Sequence, residues 1–153
     1  MRCLLILHAG GPEGSTRSLV EAAQAGATAA ESALPCRALP ATEAGPEHVL
    51  EAGAMLLATP EKFGYMAGTL KDFFDRSFYP LQGRVAGLAY GLMVCAGNDG
   101  RGAVEAVDRI VRGWSLRRVA NPLRVVGSPT PADLEEARSL GALLASGVAM
   151  GIF

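Results

Sequence analysis

The chain has 153 residues, with 14 Lys and Arg against 15 Asp and Glu, a formal net charge of −1 and a pI near 6.1. Hydrophobic residues make up 50% and charged residues 19%, enough for a full core, and a single domain over 1–153 is expected. That balance carries no nucleic-acid footprint, no basic membrane patch and none of the strong acidity of a protein that docks on basic partners.

The apolar run after Met1 is too short for a secretory signal, and the last apolar stretch, from Gly141 to Phe153, falls short of the roughly 20 residues a membrane span needs. The three cysteines, Cys3, Cys36 and Cys95, show no metal spacing, and so sparse and odd a set reads as reduced and cytoplasmic.

Cys3 to Leu7 is a continuous apolar run, the mark of a strand covered on both faces. The loop from His8 to Thr16 follows, with Ser15 or Thr16 as the expected N-cap. The next helix carries Leu19, Val20, Ala23, Ala27 and Ala30 on one side and is expected to end near Pro35. Cys36 to Leu39 is a second strand, and Arg37 within it marks an edge. Pro46 to Ala52 is a short helix. Ala54 to Ala58 is the third strand.

From it runs the stretch around which the chain is organised, Thr59 to Tyr79. It begins as a loop with Pro60, Gly64, Gly68 and two aromatics, Phe63 and Tyr65. It closes in a helix whose apolar face is Leu70, Phe73, Phe74, Ser77 and Phe78, with Lys71, Asp72, Asp75 and Arg76 outside; Pro80 is expected to stop it. Leu88 to Cys95 is the fourth strand, and a glycine-rich loop, Ala96 to Gly102, leaves its carboxyl end. The following helix presents Ala103, Val107, Ile110, Val111 and Trp114 on one face. Leu123 to Val126 is the fifth strand, marked as the other edge by Arg124. Thr130, Pro131 and Asp133 start a last helix, with Leu134, Ala137, Gly141 and Leu144 on its buried side.

Strict alternation of strand and helix makes an α/β fold with a five-stranded parallel sheet. Arginine-bearing strands two and five fit the ends of the order 2-1-3-4-5. A crevice then opens where the chain reverses between strands one and three, lined by the loops after strands one, three and four. The first loop offers backbone amides, Ser15 and Thr16 at a helix N-terminus, an anion site by geometry and dipole. A strict GxGxxG spacing and a GK[ST] signature are both absent, which disfavours a dinucleotide or ATP there. The second and third loops offer aromatics, backbone groups and Asn98 to a planar heterocycle, so a mononucleotide fits the layout.

The segment Thr59-Pro60-x-x-Phe63-Gly64-Tyr65-Met66-Ala67-Gly68, followed by Leu70-Lys71-Asp72-Phe73-Phe74-Asp75, resembles the second flavin loop of the flavodoxin-like NAD(P)H:quinone and FMN reductases. The group of tryptophan-repressor-binding-protein-like quinone reductases is the one it resembles most. The resemblance implies a flavodoxin-like three-layer sandwich, FMN as cofactor, NAD(P)H as transient donor, a small-molecule acceptor and a homo-oligomer. It assigns the phosphate to Ser15 and Thr16. The ring goes to the segment Thr59, Pro60, Glu61, Phe63, Gly64 and Tyr65, with Ala96, Gly97 and Asn98 closing its pyrimidine side. Glu13 departs from the resemblance, because a carboxylate near the phosphate would weaken FMN binding.

Several of these residues have plainer readings. His8 either donates to the phosphate or is a strand-end histidine bonded to backbone. Phe63 and Tyr65 either flank a ring or cover the sheet end. Cys95 reads as a packed thiol and Trp114 as core; Arg17 and Arg101 either steer an anion or are solvated. The functional readings are an oxidoreductase in which FMN carries the hydride chemistry, a non-enzymatic electron carrier, and a flavodoxin-like domain that binds FMN weakly or not at all. The apolar end, Val148 to Phe153, is one candidate packing surface for a second subunit.

Overall fold

A computed structural model describes residues 2–11 and 14–153; Glu13 and its neighbour Pro12 lie outside the described residues. The core strands are β1 (Cys3–His8), β2 (Cys36–Pro40), β3 (Ala52–Lys62) and β5 (Ala89–Ala96). All their mutual pairings are parallel, and the order is β2-β1-β3-β5. Beyond β5 the edge position is shared by two short strands, β6 (Arg117–Arg118) on its first residues and β7 (Leu123–Val126) on its last. The expected order therefore holds, with the fifth strand broken in two.

Helices α1 (Ser15–Ala30) and α5 (Pro131–Ala149) cover one face of the sheet; α2 (Pro46–Glu51), α3 (Gly68–Leu81) and α4 (Arg101–Gly113) cover the other. Alternation along β1 divides its side chains between the two layers: Leu5 and Leu7 pack with the α2–α4 cluster, Leu4 and Ile6 with the α1–α5 cluster. The strands β1 and β5 are buried at every position, which is why they read as unbroken apolar runs. On the α3 side Phe73, Phe74 and Trp114 meet with ring centroids 5.5–6.3 Å apart, and the Trp114 indole N–H donates to the Phe78 carbonyl at 3.0 Å. Each such ring pair contributes about 0.5–1.5 kcal/mol beyond its buried area.

Several boundaries differ from expectation. The third strand runs four residues past Ala58 and turns back through a two-residue strand, β4 (Tyr65–Met66), as an antiparallel hairpin. Thr59 to Lys62 are thus strand, because Thr59 and Pro60 still pair with Val94 and Cys95 of β5. Helix α3 continues one residue beyond Pro80; in a last turn the proline forfeits only one intrahelical bond. The N-cap of α1 is Gly14, with Ser15 and Thr16 already helical, and α1 ends at Ala30, ahead of Pro35. The fourth strand begins and ends one residue later than the apolar run alone indicates. The α5 start is as read: the Thr130 hydroxyl accepts from the Asp133 N–H, and the Asp133 carboxylate accepts from the Thr130 N–H.

Ser77 is fully buried on α3, and its hydroxyl has no partner among the described residues. A buried, unpaired hydroxyl opposes folding. Ser77→Ala is expected to raise stability by about 1 kcal/mol, read as a higher denaturation midpoint; a lower midpoint would mean that the hydroxyl is bonded.

Candidate functional site

The carboxyl ends of β1, β3, β5 and β7 open into a crevice of about 490 Å³ lined by Gly10, Gly11, Ser15, Thr16, Pro60, Glu61, Lys62, Cys95, Ala96, Gly127 and Ser128. It therefore gathers parts of all three expected loops. Gly127 and Ser128, after β7, are an addition that the sequence did not signal; Gly127 is held there by its N–H, which donates to the Ala96 carbonyl at 2.9 Å.

Helix α1 points its N-terminus at this crevice. No side chain caps it among the described residues, and its first turn holds no carboxylate. The leading N–H groups thus face the opening with the positive end of the helix dipole. Thr16 is buried, and beside it the Cys95 thiol has its pKa raised by burial, with the Thr16 side chain pulling the other way.

His8 is buried at the end of β1, with Nε2 3.4 Å from an Arg17 guanidinium nitrogen. Arginine only donates, so Nε2 is the acceptor and the imidazole is neutral. Burial pushes its pKa below the ordinary 6.5, the Arg17 charge pushes the same way, and Glu43 pulls weakly upward. The unfolded chain therefore protonates His8 near pH 6.5 while the folded chain waits for a lower pH. In that window the unfolded form binds more protons, so stability is full above the window and falls as pH falls through it. His8→Gln should flatten this acid limb in denaturant titrations between about pH 7.5 and about pH 5; an unchanged slope would show that His8 titrates freely.

The hairpin β3–β4 forms one wall. Its turn has positive φ at both central residues, Phe63 at 52° and Gly64 at 71°, the two-residue geometry that matches the twist of paired strands. A Cβ at Gly64 would meet nothing within 4 Å, so this glycine serves the turn. Phe63 is fully exposed at the tip and Tyr65 is 40% exposed. A bulky residue in the left-handed region costs of order 1–3 kcal/mol.

The Thr59 side chain is turned inward, fully buried, and its hydroxyl accepts from the Ala67 N–H at 3.0 Å, fastening the base of the hairpin to the start of α3. Glu61 reaches across the chain: its carboxylate accepts from the Ala103 N–H at 3.2 Å in the first turn of α4. The Gly64 carbonyl lies where a Cβ on Gly102 would be. Hairpin and third loop are thus one assembly, and the α4 N-terminus already has its carboxylate, while among the described residues that of α1 has none.

Gly97 and Asn98 are exposed beyond Ala96. Arg124 donates to the Asp99 carbonyl at 2.7 Å, and the Asp99 carboxylate accepts from the Arg101 N–H at 3.0 Å, which folds the third loop back on itself. The stretch 148–153 lies at the other end of the sheet: Phe153 shares a cavity with Arg2 and Leu34 and stacks under Arg117. No helix among the described residues is long and apolar enough to cross a membrane.

In comparisons with solved structures, an archaeal flavodoxin superposes with a TM-score of 0.82 at 19% identity, over 95% of this chain and 99% of its own. A Streptococcus pneumoniae flavodoxin gives 0.78 at 17%, over 94% and 98%. The rubredoxin oxygen:oxidoreductase of Desulfovibrio gigas gives 0.81 at 13%, over 99% of this chain and 37% of its own. The fold is therefore flavodoxin-like. Comparison with curated protein sequences finds no match. The model of one family, NADPH-dependent FMN reductase, matches residues 27–122, which takes in the hairpin, the third loop and every strand but β1 and β7, and on that match the chain belongs to the NADPH-dependent FMN reductase family.

Proposed function

We propose that the chain binds FMN in this crevice and works as an NAD(P)H-dependent reductase of a small acceptor such as a quinone. The N-terminus of α1, which opens on the crevice and which no side chain among the described residues caps, is the observation that carries the reading. The residues present fit the cofactor. The N–H groups of Ser15, Thr16 and Arg17 would hold the phosphate, as helix N-termini hold anions. The walls, Pro60 to Lys62 on one side and Ala96, Gly127 and Ser128 on the other, would hold the ring. Phe63 and Tyr65 stand exposed at the rim, where they would cover a flat group.

When bound, FMN supplies the electron transfer between donor and acceptor. The protein's part is to bind, orient and shield. Glu61 and Thr59 act at one remove: they hold the hairpin wall against α4 and α3. His8 would act on the phosphate end only through Arg17, whose guanidinium lies between His8 at 3.4 Å and the Glu21 carboxylate at 3.4 Å. If bound FMN left one face open to the crevice mouth, NAD(P)H and acceptor would have to share it and would exclude each other.

The test is direct. Protein reconstituted with FMN should turn yellow, and NADPH or NADH should bleach it. Steady-state rates with a soluble quinone should give parallel double-reciprocal lines. Intersecting lines would remove the shared face. Reduction by dithionite with none by NADPH or NADH would favour an electron carrier, and absence of FMN binding would leave a flavodoxin-like domain without its flavin.

A further inference from the structure

The net charge of −1 conceals a segregation of charge. Between Arg101 and Arg124 stand six arginines and two carboxylates, so the remaining 13 of the 15 acidic residues share the rest of the chain with eight basic ones. The fold gathers these arginines on one side. Along α4 the buried residues are Ala103, Ala106, Val107 and Val111. Arg101, Arg109 and Arg112 therefore fall on the opposite, solvent face, and all three are exposed. Arg117, Arg118 and Arg124 are exposed on the broken edge strand beside it. Arg118 is matched by Asp108 at 3.0 Å and Arg101 by Asp99 at 3.8 Å; Arg109 and Arg112 enter no ion pair among the described residues. The opposite edge carries Glu43, Glu47 and Glu51 on and around α2 with Arg37 alone on β2.

This basic edge adjoins the crevice. Arg101 is the first residue of α4, directly after the third loop, and Arg124 is bonded to that loop through Asp99. The exposed Val126 and Phe63 stand at the same end. We infer that the edge formed by α4, β6 and β7, which meets the crevice at Arg101 and Arg124, is a docking surface for an acidic protein. Charge complementarity sets the partner: a cluster of exposed guanidiniums, of which Arg109 and Arg112 are without an ion pair among the described residues, steers and orients a carboxylate-rich surface. The chemistry disfavours nucleic acid. Glu105 sits amid the arginines of α4 and would repel a phosphate backbone. The one aromatic ring of α4's end, Trp114, is buried and offers no base a stacking platform. Protecting a sheet edge accounts for Arg117, Arg118 and Arg124 but not for Arg109 and Arg112, which lie on the helix. The inference does not depend on FMN binding, since the contact is made by surface charge alone.

The experiment titrates the purified chain, without added flavin, against a [2Fe–2S] ferredoxin as the acidic probe and against a short DNA duplex. At about 20 mM salt the ferredoxin should bind, and about 200 mM should weaken it roughly tenfold. The pair Arg109→Glu and Arg112→Glu, both on a solvent face, should keep the circular dichroism of the parent and lose at least about tenfold in ferredoxin affinity. Glu135→Lys with Glu136→Lys on α5 should not weaken it. Failure of the parent to bind ferredoxin at low salt, equal affinity of the α4 variant, or tighter binding of the duplex would each overturn the proposal. So would saturation by a second copy of this chain in place of the ferredoxin.

Discussion

Gly141→Ala is expected to cost about 2–4 kcal/mol, although helix propensity alone would credit it with about 1 kcal/mol of stabilisation. The two effects have opposite signs, so the measurement decides between them. Helices α1 and α5 cross in direct backbone contact. A Cβ on Gly141 would meet the Ala23 carbonyl, and one on Gly26 would meet the Arg138 carbonyl. Both obstacles are main chain and cannot swing aside as a rotamer can. Relief requires the helices to separate, which opens the layer holding Leu19, Ala23, Leu140 and Leu144 against the sheet. Urea denaturation should show a lower midpoint for Gly141→Ala and for Gly26→Ala. A raised midpoint for either would mean that the helices have room to part without loss.

Ser15→Asp is expected to reduce FMN affinity at least about a hundredfold while leaving stability unchanged or slightly raised. Ser15 opens α1 after the Gly14 cap, in a first turn without a carboxylate. A carboxylate there favours the helix by about 0.3–1 kcal/mol through the dipole. It also occupies, with like charge, the place that the proposed phosphate needs. Loss of binding with a retained denaturation midpoint is thus the signature of an anion site, which a folding defect would not give. Ser15→Asn keeps the polarity without the charge and should bind within a few-fold of the parent. Equal FMN affinity for the aspartate variant would remove the phosphate from α1.

The strands β1 and β5 and the part of β3 from Ala54 to Ala58 could be read from the sequence because a strand segment buried on both faces is apolar at every position. Strand two announced its exposure through Arg37, and α5 its start through Thr130 and Asp133. What could not be read depends on distant partners. Pro60, Glu61 and Lys62 have the composition of a loop. They are strand because Thr59 and Pro60 extend the pairing with Val94 and Cys95, and because β4 folds back on them. Likewise Glu61 lies in the segment assigned to the ring, yet its carboxylate is bonded to Ala103, 42 residues away. The inward turn of Thr59 has the same cause: its hydroxyl serves the Ala67 N–H. Gly127 and Ser128 were missed because a glycine after the last strand looks like any turn. The break between β6 and β7 was invisible since Arg117 and Arg118 carry no apolar pattern.

That break bears on how the protein behaves when crowded. An open sheet exposes a row of unpaired amides at each margin, on which foreign strands can build into fibrils. Here one margin is cut into segments of two and four residues with Pro122 between them. The other is five residues long, ends in Pro40 and holds Arg37 outward, paired with Glu51. Neither margin presents a long, flat, apolar template, so a concentrated solution of the folded chain should resist seeding by cross-β fibrils.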